Sequence, residues 1–301
     1  MRTDRHLPAH AAAVVTDEGF TLRCTVSGGG DRVLLGLHGG PGGSGGGYLD
    51  PLHRLAAPDR TVVTFDQLGT GESEVPPPGY AWSVAGAVAD VDAVRRHFTA
   101  RRADVLGHSW GGMLALQYAL DHPGHVGRLV LSNTTSSSAR ITLGSLAQLA
   151  AVLPAAQAAA AMTADLLGEH RTPAFRAAVR AWLARYGTEG DLDAARAETA
   201  EALAPGPAGR GLWGDRLWFA TGALRDWDVE PRLPEITAPT LVVHGGDDMS
   251  GADTNRVLAE GIPDCEWLTM NNNGHTIFHA RNAAAYLAIV GAFLDGWDQQ
   301  T

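Results

Sequence analysis

The side chains best suited to chemistry in this 301-residue sequence are Ser109, Asp248 and His275, which lie far apart along the chain. Ser109 sits inside GHSWGG, Gly107–Gly112, between a strand-like end at Asp104–Leu106 and an apolar helical stretch from Met113 to Leu120. At such a turn a serine adopts a strained backbone and presents its hydroxyl outward, while Gly107 and Gly111 give strand and helix room to approach. The pattern alone is weak, because 37 glycines in 301 residues make about 0.2 GxSxG matches expected by chance. The surrounding residues must carry the weight.

A hydroxyl is a poor nucleophile near neutral pH. It needs a base within hydrogen-bond reach and a carboxylate that orients the base. Gly245-Gly246-Asp247-Asp248 follows one strand-like run, and Asn273-Gly274-His275 follows the next. Serine, acid, histidine is the order this chemistry takes on a strand-turn-helix scaffold. Asp248 is preferred to Asp247 as the acid because it stands three residues after the strand-end Gly245. His275 would accept the serine proton and return it to the leaving group while Asp248 fixes its tautomer. A histidine in a polar loop is by default a surface group; its place after the last strand argues for catalysis. His279 follows at metal-like helical spacing but with no third ligand, so no metal is expected.

HGGPGG, His38–Gly43, follows an apolar strand and is too glycine-rich for a helix. An oxyanion hole requires two backbone donors held in place before reaction, and the N–H groups of Gly40 and Trp110 are assigned to it. The next stretch, 44–47, reads as a flexible turn, and His38 and His108 read as structural.

Positioning these groups requires a sheet. Ala12–Thr16 and Phe20–Val26 flank Asp17-Glu18-Gly19 as an antiparallel hairpin. Arg32–Leu37, Thr61–Phe65, Arg128–Leu131, Thr240–His244 and Cys265–Met270 are strand-like runs, and a helix with Val84, Val88, Val91 and Val94 on one side spans Ser83 to Phe98. Continuous apolar strands alternating with helices predict a mostly parallel α/β sheet covered on both faces, with ligands at the carboxyl ends of the strands. Strand character disappears after Asn133 and helical periodicity takes over, with Phe175, Val179, Trp182, Leu183 and Tyr186 on one face. The expected organisation is a core from residues 1–133 and 234–301, with a helical cap or lid from 134–233 closing a pocket above Ser109.

A formal charge of −10 without basic runs argues against nucleic acid and anionic membrane surfaces, leaving a small-molecule partner. No signal sequence or bilayer span is expected, and the protein reads as cytoplasmic. Cys24 and Cys265 lack CxxC spacing and read as two buried thiols.

HGGPGG at His38, DQLGTGES at Asp66–Ser73 and GHSWGG at Gly107 together resemble the proline iminopeptidase family of α/β hydrolases. The likeness covers about Ala12 to Asn133 and Pro239 to Trp297, and includes Leu224–Asp228. It implies the α/β-hydrolase fold, an acyl-serine intermediate, hydrolysis of an amide and no cofactor. Peptidases of the family carry an acid after the catalytic Asp and another in the lid, which hold the substrate's free amine. Met249 and Leu217 stand at those places here, and neither Asp215 nor Asp247 matches them residue by residue. Gly39, Leu217, Trp218 and Met249 are therefore expected to contact a small, apolar substrate, while Trp182 and Trp227 read as packing residues. The alternatives are a tailoring esterase, thioesterase or acyl-transferring cyclase of specialised metabolism, or a ligand-binding protein on the same fold without turnover.

Overall fold

Neighbouring residues of the apolar runs bury on opposite sides of one sheet. The computed structural model describes residues 9–43, 48–99, 101–187, 206–279 and 281–296. The 44–47 turn and the first eight residues lie outside them. Eight strands form the sheet: β1 (His10–Val15), β2 (Thr21–Ser27), β3 (Arg32–Leu37), β4 (Arg60–Phe65), β5 (Ala103–His108), β6 (Val126–Ser132), β7 (Thr240–Gly245) and β8 (Cys265–Met270), in the order β1-β2-β4-β3-β5-β6-β7-β8. The β1-β2 and β2-β4 pairs are antiparallel, and every pair from β4 to β8 is parallel. Leu35, Val105, Leu129, Leu131 and Val242 join one core cluster, and Leu34, Leu106, Val130, Leu241 and Val243 join the other. Because side chains alternate across a strand, such continuous apolar runs need cover on both faces.

Helix α1 (Val84–Phe98) begins at Ser83, whose hydroxyl accepts the Gly86 N–H at 3.0 Å, and buries Val88, Val91 and Val94. Helix α2 (Trp110–Asp121) follows Ser109 directly and is buried along most of its length. Between β6 and β7 the chain turns helical, with α3 (Ser138–Val152), α4 (Ala155–Leu167), α5 (Pro173–Tyr186) and the short α6 (Pro207–Leu212). Phe175, Val179 and Trp182 of α5 pack with Leu149, Met162 and Trp218 in a cluster of their own. Helices α7 (Ala252–Gly261) and α8 (Ala283–Asp295) follow β7 and β8. Trp227 belongs to the main core, its indole N–H bonded to Gln117 at 2.9 Å. Cys24 is buried, but Cys265 is only half-buried because β8 ends the sheet. Among the described residues no helix is long and apolar enough to cross a membrane.

Backbone meets backbone closely where β5 meets α2. A Cβ at Gly107 would stand 2.2 Å from the Gly111 carbonyl oxygen, and one at Gly111 would stand 2.1 Å from the Leu37 carbonyl oxygen. Both obstacles are backbone and cannot rotate away. Gly107→Ala should therefore destabilise the fold by at least about 1–3 kcal/mol, the usual cost of overpacking. Urea unfolding of the variant checks this, and an unchanged midpoint would refute it.

Candidate active site

Ser109 stands between β5 and α2 with φ 56° and ψ −123°, a region that a residue with a Cβ occupies only when its surroundings hold it there. Those surroundings are explicit. Its N–H donates to Ser132 O at 3.0 Å, and its carbonyl accepts from Gly112 N at 2.8 Å and from Thr134 Oγ1 at 2.7 Å. The turn thus aims the side chain at a cavity of about 370 Å³, which Ser109 and His275 both line.

His275 enters from the loop after β8, held by Asn133, whose Nδ2 donates to Gly274 O at 3.2 Å. Its Nδ1 donates to Asp248 Oδ1 at 2.6 Å. Asp248 is fully buried and also accepts from Ser250, through its N–H at 3.2 Å and its hydroxyl. Burial pushes the Asp248 carboxyl up, but the charge and hydrogen bond of His275 and the Ser250 donors outweigh it, leaving the group below the usual carboxylate range. Asp247 instead pairs with Arg185 at 2.5 Å.

His108 lies under His275, ring centroids 4.8 Å apart. Its Nε2 donates to the His275 carbonyl at 2.8 Å, so the neutral ring accepts the Tyr48 hydroxyl proton at Nδ1, also at 2.8 Å. Burial, with the nearby His275 charge, lowers its pKa to about 3, and the ring stays neutral as a brace. His38 is neutral for the same reason of burial, donating from Nδ1 to Gly39 O at 2.8 Å and accepting Gln67 N–H at Nε2 at 3.1 Å. Gln67 then donates to His38 O at 2.9 Å and accepts the Trp110 indole N–H at 2.7 Å. The glycine loop after β3 and the start of α2 are tied together through one glutamine. The two expected donors, Gly40 and Trp110, belong to these two segments and line the cavity. Trp110 is the first residue of α2, where a backbone N–H has no acceptor within the helix.

Gly39, Leu217, Trp218 and Met249 also line the cavity. Trp182 lines it too, so it is more than the packing residue its sequence context indicates; it meets Trp218 edge to face at 5.8 Å. Asp165 of α4, wholly buried, accepts the backbone N–H groups of Leu217 at 2.8 Å and Trp218 at 2.7 Å and the His170 Nε2–H at 2.8 Å. This carboxylate sets the position of the wall and has no obvious sequence signal. Asn133, Thr134, Tyr48 and Gln67 were likewise not legible as site residues, although Gln67 lies within the DQLGTGES segment. Among the described residues that line the cavity there is no carboxylate, and Asp215 pairs with Arg216 at 2.8 Å. Among the described residues, the buried polar atoms Ser145 Oγ, Trp218 Nε1 and Thr276 Oγ1 of the cavity lining meet no hydrogen-bond partner.

Asp92, His122 and His125 place possible ligand atoms within 4.8 Å of one another. Asp92 already receives Arg95 at 2.9 Å, Arg96 at 3.1 Å, Tyr118 at 2.8 Å and His125 at 3.1 Å. Two guanidinium groups there oppose a divalent cation, and the cluster is accounted for as an ion-pair network.

A serine at the sharp exit of a parallel strand, sharing a cavity with a histidine that is bonded to a buried carboxylate on an earlier loop, marks a fold of hydrolase type. A family model described as alpha/beta hydrolase fold matches residues 32–281. The chain belongs to the α/β-hydrolase family, in its proline iminopeptidase branch. A proline iminopeptidase of Levilactobacillus brevis is 32% identical over 270 residues, covering 89% of this chain and 90% of that protein. One from Lactobacillus helveticus is 31% identical over 271 residues, covering 88% and 90%. The crystal structure of proline iminopeptidase from Mycobacterium smegmatis shares 27% identity at a TM-score of 0.81, covering 95% of this chain and 98% of that one.

The lowered pKa of Asp248 has a sign. Its charged form favours the folded state, so the contribution is present above the unfolded carboxylate pKa of about 3.9 and is lost as pH falls through the lower folded value. The stability of wild type minus that of Asp248→Asn should therefore decrease between neutral pH and about pH 3. Urea titrations across that range test it, and a difference that grows toward acid would refute it.

Proposed function

We propose that this chain is a serine hydrolase that cleaves an amide or ester of a small, largely apolar substrate through an acyl-Ser109 intermediate. The observation that carries this reading is the shared cavity of Ser109 and His275, with Nδ1 of His275 bonded to a buried, ionised Asp248. With Nδ1 donating, the neutral imidazole keeps a lone pair at Nε2. Ser109 Oγ attacks the acyl carbon as Nε2 takes its proton, and the carbonyl electrons move onto oxygen. The backbone N–H groups of Gly40 and Trp110 meet that charge, a role in which each donor is typically worth about 100-fold to 1000-fold in rate. The electrons return, the carbon–leaving-group bond breaks, and His275 passes its proton to the departing amine or alcohol. Water repeats the sequence and frees Ser109. The helices between β6 and β7 serve as the cap, and Leu217 and Trp218 of that segment form the substrate wall together with Gly39 and Met249 of the loops below.

The relatives named proline iminopeptidase favour an amide substrate. The wall composition favours the second reading, a tailoring esterase, thioesterase or acyl-transferring cyclase. Neither Met249 nor Leu217 can pair with an ammonium group, Asp215 and Asp247 are held by arginines, and charge-assisted bonds of this kind are worth about 1.5–3 kcal/mol each. The unpartnered Ser145, Trp218 and Thr276 atoms suit a neutral polar substituent better than a cation.

A fluorophosphonate probe should label the wild type and fail on Ser109→Ala, which should also lose about 10⁴-fold or more in turnover. Unlabelled, folded wild type would overturn the hydrolase reading in favour of a binding protein. A panel of aminoacyl amides beside neutral esters and thioesters, each with and without an alcohol or amine acceptor, separates the readings. Faster turnover of free-amine amides would sink the argument from the wall.

A further inference from the structure

The polar stripe of α3 reaches the proposed catalytic acid. Gln148 is nine-tenths buried between the inserted helices and the loop after β7. Its Nε2 donates to the Asp248 carbonyl at 2.9 Å, and its Oε1 accepts the Trp182 indole N–H at 2.8 Å. The amide orientation follows from the partners, since an indole only donates and a carbonyl only accepts. Both bonds are out of water, where a lost partner leaves a buried polar group unsatisfied.

The two ends of this link differ in kind. Trp182 is a wall of the cavity and stands edge to face with Trp218, another wall residue. Asp248 is the residue whose carboxylate holds His275. Its carbonyl also accepts Gly251 N–H at 3.0 Å, closing the turn after β7, so Gln148 grips that turn at the same oxygen. Met249, next in sequence, lines the cavity. One amide thus joins the surface that substrate touches to the backbone that carries the acid.

We infer that Gln148 is a positioning residue: it couples the Trp182 wall to the Asp248 turn, so that the packing of the inserted helices sets the alignment of the Asp248–His275 pair. This rests on the reading of Ser109, His275 and Asp248 as the catalytic group. Gln148 touches neither substrate nor reacting atoms in this role. Its influence travels through Asp248, and that of Trp182 travels through Gln148.

The test measures the second-order rate of fluorophosphonate labelling of Ser109, together with kcat and KM on an ester that the wild type turns over. Gln148→Met keeps the length of the side chain and removes both bonds. It should slow labelling and kcat by about tenfold to 100-fold, the scale of an ångström-size misplacement, with KM changed less than kcat. Trp182→Phe removes one donor and leaves the Asp248 bond, and should show a smaller loss. The double variant should be no slower than Gln148→Met alone, because the two act in series. Gln148→Asn, with its amide intact, serves if Gln148→Met fails to fold; it should be slowed through kcat in the same way. Unchanged kcat and labelling in the folded Gln148 variant, a loss confined to KM, or losses that multiply in the double variant would overturn the inference. Asp248→Asn run in parallel separates the two levels. If it retains full labelling, the catalytic reading itself fails. If it is impaired while the Gln148 variants are not, only the coupling fails.

Discussion

The site depends on a contact with no room in it, where β5, α2 and β3 meet at Gly107 and Gly111. Any side chain there would enter a backbone carbonyl. Where the helix starts this close to the sheet, Ser109 turns through a positive φ and lines the cavity. Bonds from Gly112 and Thr134 to its carbonyl and from its N–H to Ser132 hold that turn. The conformation is unfavourable for an isolated serine, and the neighbours that enforce it come from β6, the loop after it and α2.

Polar groups around this turn are satisfied by one another in a way that leaves few degrees of freedom. His38 and His108 are buried and neutral, each with both ring nitrogens engaged. Gln67 joins the glycine loop to α2, and Gln148 joins the inserted helices to the Asp248 turn. Asp165 holds the Leu217–Trp218 segment through two backbone donors. Each of these side chains fixes main chain, and main chain is what presents the proposed donors, acid and wall. Preorganisation of this kind is how electrostatic stabilisation is achieved without reorganisation during reaction.

Family membership and wall chemistry point in different directions for the substrate. The likeness to proline iminopeptidases runs over most of the chain, the inserted segment included. That segment places Trp182, Leu217 and Trp218 in the wall. A shared fold is compatible with different substrates, because the residues that carry the fold need not touch the distal part of a ligand.

Local signals were enough for the strands, the α1 register and the GHSWGG turn, since continuous apolar runs and a glycine-flanked serine depend on neighbours along the chain. The motifs at His38, Asp66 and Gly107 likewise made the family legible, and the strand-end positions of Asp248 and His275 singled them out. Three-dimensional packing alone revealed that Trp182 belongs to the cavity wall, that Asp165 anchors Leu217 and Trp218, and that Gln148 reaches Asp248 across 100 positions of sequence. It also made Cys265 half-exposed, because being the last strand of a sheet is a property of topology. The division has a physical cause. Apolar periodicity and turn chemistry are local, whereas a buried hydrogen bond is specified jointly by two distant segments and leaves no mark in either one alone.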